Sequence, residues 1–351
     1  MTTPKPLRVI VADDSITVRK SLIRALAQAS DIEVIAEAAD GRQLVDLCTR
    51  LRPDVITMDV VMPGMDGVHA TEEIMARVPT PILVVSAAEN RGENFTTLSA
   101  LAAGAVEVLE KPRESGKLAS FEEALRRTVR LVARIPVITR PRGWLQPRAF
   151  AAPAPAWSGS ARLVAIGAST GGPAVLAQIL TGLPRDYPLP ILLVMHIGPA
   201  FGFALSEWLD GMSKLKVQQV QDGERLAVGR VHVCPPDRHL ILRDERLFLT
   251  SDPERHSCRP SVDVLFESVA GQCGRQAVGC LLTGIGRDGA QGLLAMQRAG
   301  ALTIAQDEAS SAVFGMPREA IALGAADLVG NPQQITGHLL GLINRQNASW
   351  S

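Results

Sequence analysis

A chain of 351 residues has room for two domains of ordinary size, each with its own apolar core. Lys+Arg and Asp+Glu balance at 36 each, so no overall field favours nucleic acid or an anionic membrane surface. The longest apolar runs, such as Ile191 to Met195, have strand length and are too short for membrane insertion. The first residues lack a basic stretch followed by an apolar segment, so secretion is not expected and the chain reads as cytoplasmic. Five cysteines (Cys48, Cys234, Cys258, Cys273 and Cys280) show no C-x-x-C spacing. They read as reduced thiols, mostly buried, and no zinc site is expected from their spacing.

Strand-like runs come first at Leu7–Ala12, Val34–Ala38, Val55–Met58, Ile82–Ser86 and Val106–Leu109. Amphipathic segments such as Ile16–Ala29 and Gly41–Leu51 separate them. Five strand–helix repeats predict a doubly wound sheet, parallel because each helix carries the chain back across it. Residues 126–160 differ: they hold seven arginines, five prolines and no acidic residue. That composition predicts an extended, solvated linker. A second alternating region follows, with strands near Leu163–Ile166, Ile191–Met195, Arg230–Val233 and Ala277–Thr283. Leu240–Leu242 and Leu247–Thr250 read as a hairpin.

Three features fall where strands of the first region end. Asp13 and Asp14 follow the first strand, Asp59 the third, and Lys111 the fifth, while Ser86 closes the fourth. The carboxyl ends of strands form the ligand crevice of an open α/β sheet. Carboxylates gathered there repel one another and call for a hard cation.

These residues carry a resemblance. Asp13-Asp14-Ser15, Met58-Asp59-Val60-Val61-Met62-Pro63-Gly64, Ser86-Ala87 and Lys111-Pro112 resemble a response-regulator receiver domain of the flavodoxin-like (βα)5 fold. The resemblance implies that Asp59 accepts a phosphoryl group from a histidine kinase. It also implies Mg²⁺ organised by Asp13, Asp14, Asp59 and the Val61 carbonyl, with Ser86 and Lys111 contacting the phosphoryl oxygens. Val108 stands where many receivers place an aromatic switch residue.

In the second region the run Leu163–Ile166 leads into Gly167-Ala168-Ser169-Thr170-Gly171, a G-x-S-x-G pentad between strand and helix. Such an elbow lifts a serine hydroxyl to where it can reach a carbonyl, though glycine-flanked serines also occur in structural turns. Serine needs a base, and the base needs an orienting group. His196 directly follows the strand Ile191–Met195, and Asp288 follows Leu281 through a glycine-rich turn. His256, in a polar loop, is a weaker candidate for substrate contact. The order Ser169, His196, Asp288 differs from the Ser, acid, His order of α/β-hydrolases, so such a triad would be convergent, on another doubly wound sheet.

The second half resembles the chemotaxis protein-glutamate methylesterase/glutamine deamidase (CheB) family. The matching segments are Gly167–Pro173, His196, Cys258–Phe266, Leu282–Ala290, Ala305–Glu308 and Val313–Pro317. The resemblance implies a doubly wound, mainly parallel α/β/α domain with a hairpin. It implies Ser169 as nucleophile, His196 as base and acid, Asp288 as orienting carboxylate and the Ile285 backbone amide in the oxyanion hole. Ile285 replaces a usual methionine, Arg287 a usual asparagine, and His196-Ile-Gly-Pro departs from His-Met-Pro.

The expected organisation is a receiver over 1–125, a linker over 126–160 and a catalytic domain over 161–351. The function implied is a phosphorylation-activated hydrolase of glutamate γ-methyl esters, also deamidating glutamines, on cytoplasmic helices of methyl-accepting chemoreceptors. It needs no cofactor for ester hydrolysis. The competing reading is a non-catalytic adaptor that binds receptor or kinase. A DNA-binding regulator is disfavoured, because no basic recognition helix follows the linker.

Overall fold

A computed structural model describes residues 5–88, 90–112, 118–137 and 160–348. The chain divides into two compact units, Met1–Trp144 and Leu145–Ser351.

The first unit runs β1 (Leu7–Ala12), α1 (Ile16–Ala27), β2 (Ile32–Ala38), α2 (Gly41–Leu51), β3 (Val55–Met58) and α3 (Gly67–Arg77). It continues with β4 (Ile82–Ser86), α4 (Arg91–Ala103), β5 (Glu107–Glu110) and α5 (Leu118–Val132). The strands form one parallel sheet in the order β2-β1-β3-β4-β5. Strands β3 and β4 are buried throughout, which is why they read as unbroken apolar runs rather than alternating ones. The helices start where side chains cap them: Ser15, Asp40, Asp66 and Asn90 each accept a hydrogen bond from a backbone N–H in the first turn.

Helix α5 corrects the expected linker boundary. Residues 126–132 are helical, and Leu125, Val129 and Val132 are fully buried. Those apolar residues repeat at helical spacing on one face, while Arg126 and Arg130 reach across to Ala25, Gln28 and Asp31. The rest of the expected linker from 138 to 159 lies outside the described residues.

The second unit runs β6 (Leu163–Ala168), α6 (Gly172–Gly182), β7 (Ile191–Met195), α7 (Pro199–Met212), β8 (Lys216–Gln219), β9 (Glu224–Arg225) and β10 (Arg230–Val233). It continues with β11 (His239–Arg243), β12 (Arg246–Thr250), α8 (Val262–Cys273), β13 (Ala277–Leu281), α9 (Ala290–Arg298), β14 (Leu302–Gln306), α10 (Met316–Ala322), β15 (Leu328–Gly330) and α11 (Pro332–Ala348). Seven strands make a parallel sheet, β15-β14-β13-β6-β7-β10-β8, and β11-β12-β9 form a small antiparallel sheet. The expected hairpin is β11–β12, turning through Asp244 and Glu245, both left-handed.

The order of the large sheet positions its functional end. From β6 the chain adds β7 on one side and later β13 on the other, so β6 lies at the switch point where the connections diverge and a crevice opens. Register is tight there: Ala168 pairs with Met195, and Gly167 pairs with Leu281. Helix α8 packs Val262, Leu265, Phe266 and Val269 into the core beside Leu163 and Ala165. Each such side chain contributes about 1.5–3 kcal/mol of burial. Among the described residues no helix is long and apolar enough to cross a membrane.

Candidate active site

In-register pairing brings the sequence candidates of the second unit together. Ser169 and His196 each stand one residue beyond neighbouring parallel strands, and the His196 N–H donates to Ala168 O at 3.0 Å. The Ser169 N–H donates to Thr283 O at 2.9 Å, tying the elbow to the strand on its other side. Two glycines make this possible. Gly171 turns with φ +79° directly before α6, and a Cβ on Gly284 would stand 2.7 Å from Ser169 Cβ. Among the described residues Ser169 Oγ has no hydrogen-bond partner, and the serine is 8% exposed.

His196 is committed through one nitrogen. Its Nε2 lies 2.9 Å from Asp288 Oδ2, which leaves Nδ1 as the nitrogen available to a substrate or nucleophile. Cys258 Sγ lies 3.9 Å from that Nδ1. Burial works against the imidazolium, but the bond to Asp288 and the Cys258 sulfur outweigh it, and the His196 pKa is pushed up to about 9.

Asp288 is 2% exposed, and a buried carboxylate needs donors. Besides His196 it accepts from Ser261 Oγ at 2.7 Å, the Val262 N–H at 2.7 Å and the Asp263 N–H at 3.1 Å. These three donors are the opening of α8, with Ser261 as its N-cap, so the carboxylate rests on the positive end of a helix. Burial alone would raise the Asp288 pKa; the His196 and Ser261 bonds and the α8 backbone bring it below the usual carboxylate range.

The remaining candidates separate. The Ile285 N–H has no backbone hydrogen bond among the described residues, and its side chain is 36% exposed at the turn after Gly284. His256 lies 3.1 Å from Asp263 Oδ2, and Arg287 Nε donates to its Nδ1 at 3.4 Å. It thus bridges α8 and the Asp288 turn. A cavity of about 470 Å³ at the amino ends of the strands, lined by Arg162, Pro190, Leu226 and Glu245, lies away from this constellation.

In the first unit, Asp13, Asp14 and Asp59 place carboxylate oxygens within 4.8 Å of one another. Lys111 Nζ donates to Asp13 Oδ2 at 2.8 Å and to Asp59 Oδ2 at 2.7 Å. Burial raises the Asp13 pKa against the pull of Lys111, as a site short of positive charge requires. The Val61 N–H reaches Asp59 Oδ1 at 3.3 Å. A cavity of about 610 Å³ opens over these groups. Ser86 is in place but engaged elsewhere: its hydroxyl donates to Glu93 Oε1 at 2.6 Å. Val108 lies on β5, half-buried.

Sequence reading gave no role to Ser261, Cys258 or Glu93. Ser261 carried a signal, a serine after proline at the start of an apolar periodic segment. Cys258 and Glu93 reach their partners only through the fold.

The chain matches two family profiles: CheB methylesterase over residues 164–339 and response regulator receiver domain over 9–121. It is 46% identical over 325 residues to "Protein-glutamate methylesterase/protein-glutamine glutaminase 2" of Anaeromyxobacter dehalogenans (strain 2CP-C), covering 93% of this chain and 94% of that protein. The chain belongs to the CheB methylesterase family. A family member from Salmonella choleraesuis (strain SC-B67), of the same printed name without the number, is 38% identical and covers 97% of this chain and 98% of its own. Among solved structures, the CheB methylesterase catalytic domain of Thermotoga maritima aligns at TM-score 0.50 and 35% identity, covering 52% of this chain and 99% of that one.

Proposed function

We propose that this protein is a cytoplasmic, phosphorylation-activated protein-glutamate methylesterase and protein-glutamine glutaminase, acting on the cytoplasmic helices of methyl-accepting chemoreceptors. The observation that carries the reading is the His196–Asp288 pair at 2.9 Å, on the sheet edge where Ser169 leaves the adjacent strand.

Ser169 Oγ attacks the γ-carbonyl of a methylated glutamate while His196 Nδ1 takes its proton. The developing oxyanion meets the Ile285 N–H. Collapse of the tetrahedral intermediate breaks the C–O bond, and methanol leaves with the proton from His196. Water, deprotonated by the same nitrogen, then releases glutamate and restores the serine. A glutamine side chain follows the same course with ammonia as leaving group. Asp288 keeps Nε2 protonated and Nδ1 facing the reaction. The open Ser169–His196 contact is of the kind that tightens only with substrate bound.

In the receiver, Asp59 takes the phosphoryl group from a chemotaxis histidine kinase. Asp13, Asp14 and Asp59, with the Val61 carbonyl, would hold Mg²⁺; their clustered hard oxygens suit such an ion, which offsets charge on the phosphoryl oxygens. Lys111 pairs with the phosphoryl group, and Ser86 turns from Glu93 to hydrogen-bond it. No nucleic acid and no membrane insertion enter this scheme.

The test is methanol release from a methylated chemoreceptor cytoplasmic fragment, with and without a small-molecule phosphodonor. Methanol and new glutamate in equal amounts, increased by the phosphodonor, are expected. Binding of the fragment without methanol or ammonia release would establish the adaptor instead.

A further inference from the structure

We propose that Cys258 and His196 form a binding site for a thiophilic divalent cation of the Zn²⁺ type, and that filling it switches the esterase off. The inhibition rests on the esterase reading above; the binding does not.

The pair is built by the fold rather than by spacing, since the residues lie 62 positions apart. The 255–258 turn delivers the sulfur. Arg255 and Cys258 exchange both backbone hydrogen bonds, and His256 and Ser257 between them are left-handed, with φ of 54° and 60°. This is the tight two-residue turn that usually recruits Asn and Gly. It is anchored to α8 by the double ion pair of Arg255 with Glu267 and by His256 on Asp263.

The distances suit a metal. Zn–S and Zn–N bonds of about 2.3 and 2.1 Å at a tetrahedral angle separate the two ligand atoms by about 3.6 Å. Sγ and Nδ1 stand 3.9 Å apart, so an ion fits between them after a small closing movement. The thiol's other contact, to His256 O at 3.5 Å, is weak enough to give up.

The half of the triad that serves catalysis also serves the metal. A zinc-bound histidine commonly donates its second N–H to a carboxylate, which fixes the tautomer and makes the free nitrogen a better ligand. Asp288 does this to His196 Nε2, and its own donors hold it still. Cys258 Sγ, a His196 nitrogen and an Asp288 oxygen lie within 4.8 Å of one another, with Asp288 behind the imidazole rather than on the ion. Cys48, Cys234 and Cys280 are buried, with pKa values raised by desolvation, so they offer no comparable site.

An ion on Nδ1 occupies the lone pair that must take the Ser169 proton. Hydrolysis stops without any change at the serine. Mg²⁺, which prefers hard oxygen donors, does not compete for this pair.

The test uses the full-length protein. Titration with Cd²⁺ is expected to give a saturable thiolate-to-metal charge-transfer absorbance that Zn²⁺ removes. It should persist in Ser169→Ala and Cys273→Ala and vanish in Cys258→Ala and Cys258→Ser. Zn²⁺ should inhibit methanol release, and each Cys258 variant should raise the half-inhibiting concentration at least about tenfold against its own metal-free rate. Unchanged absorbance in both Cys258 variants, or the same Zn²⁺ sensitivity, would overturn the proposal. Cd²⁺ binding in a protein that releases no methanol would sink the esterase reading and leave the metal site standing.

Discussion

The two units solve the same electrostatic problem in opposite ways. Each buries a carboxylate beyond the end of a parallel strand at a switch point. In the first, Asp13 and Asp59 share one lysine, and Asp14 adds a third carboxylate nearby. Negative charge remains in excess, so the pocket is prepared to exchange ions and groups. In the second, Asp288 is met by a hydroxyl, two backbone N–H groups and an imidazole, leaving nothing to recruit. An under-compensated carboxylate suits a transient phosphoryl acceptor; a fully satisfied one suits a fixed scaffold for a base.

The largest effect that this contrast predicts is at Ser169, the proposed nucleophile. Ser169→Ala should lower methanol release by on the order of 10⁴-fold or more, measured on the methylated receptor fragment. Retained activity would remove this serine from the mechanism. Asp288→Asn keeps the shape but offers Nε2 the wrong tautomer, and kcat should fall about 10⁴-fold. If Asp288 were only a helix anchor, stability would drop while kcat held.

Asp59→Asn should abolish stimulation by the phosphodonor and leave the unstimulated rate. Stimulation that survives would place the phosphoacceptor elsewhere. Ser261→Ala removes both the α8 cap and one donor to Asp288. A loss of about 1 kcal/mol in denaturant unfolding is expected, with a smaller fall in kcat than for Asp288→Asn.

The mildest effect is on pH dependence. A base whose pKa is raised to about 9 is mostly protonated below that pH, and its neutral fraction grows with pH, so kcat/KM should climb from pH 7 towards alkaline values. Cys258→Ala removes one of the groups raising it and should move the rising limb to lower pH. A profile flat from pH 7 to 9 in the unaltered protein would contradict this assignment.

The strand ends were legible in sequence because strands buried on both faces are unbroken apolar runs, and whatever follows them lands on the functional edge. Position at a strand end, together with the pentad and the family motifs, singled out Ser169, His196, Asp59 and Asp288, and the fold gathers Ser169, His196 and Asp288 at one end of the second sheet. What stayed hidden depends on contacts between distant segments. Cys258 meets His196 through a turn of left-handed residues that nothing in its sequence advertises. Glu93 takes the Ser86 hydroxyl from a neighbouring helix. The start of the linker was misjudged for another reason: the arginines of 126–130 mask an amphipathic helix whose apolar face, Leu125, Val129 and Val132, is narrow. Polar residues break the apolar pattern of β8, β9 and β14, and β15 spans only three residues. Thr303 of β14, for example, is held by Asp327 through both its N–H and its hydroxyl.

The register of β13, β6 and β7 has a consequence for folding. Ser169 and His196 directly follow neighbouring strands, whose backbones lie about 4.8 Å apart, so strand pairing sets their separation. Asp288 arrives from the far side of β6, 92 positions after His196. The complete set of Ser169, His196 and Asp288 therefore needs β7, β6 and β13 paired in one sheet. Activity is thus a reporter of the second unit's cooperativity: on denaturant titration, loss of methanol release and loss of that unit's sheet should share one midpoint.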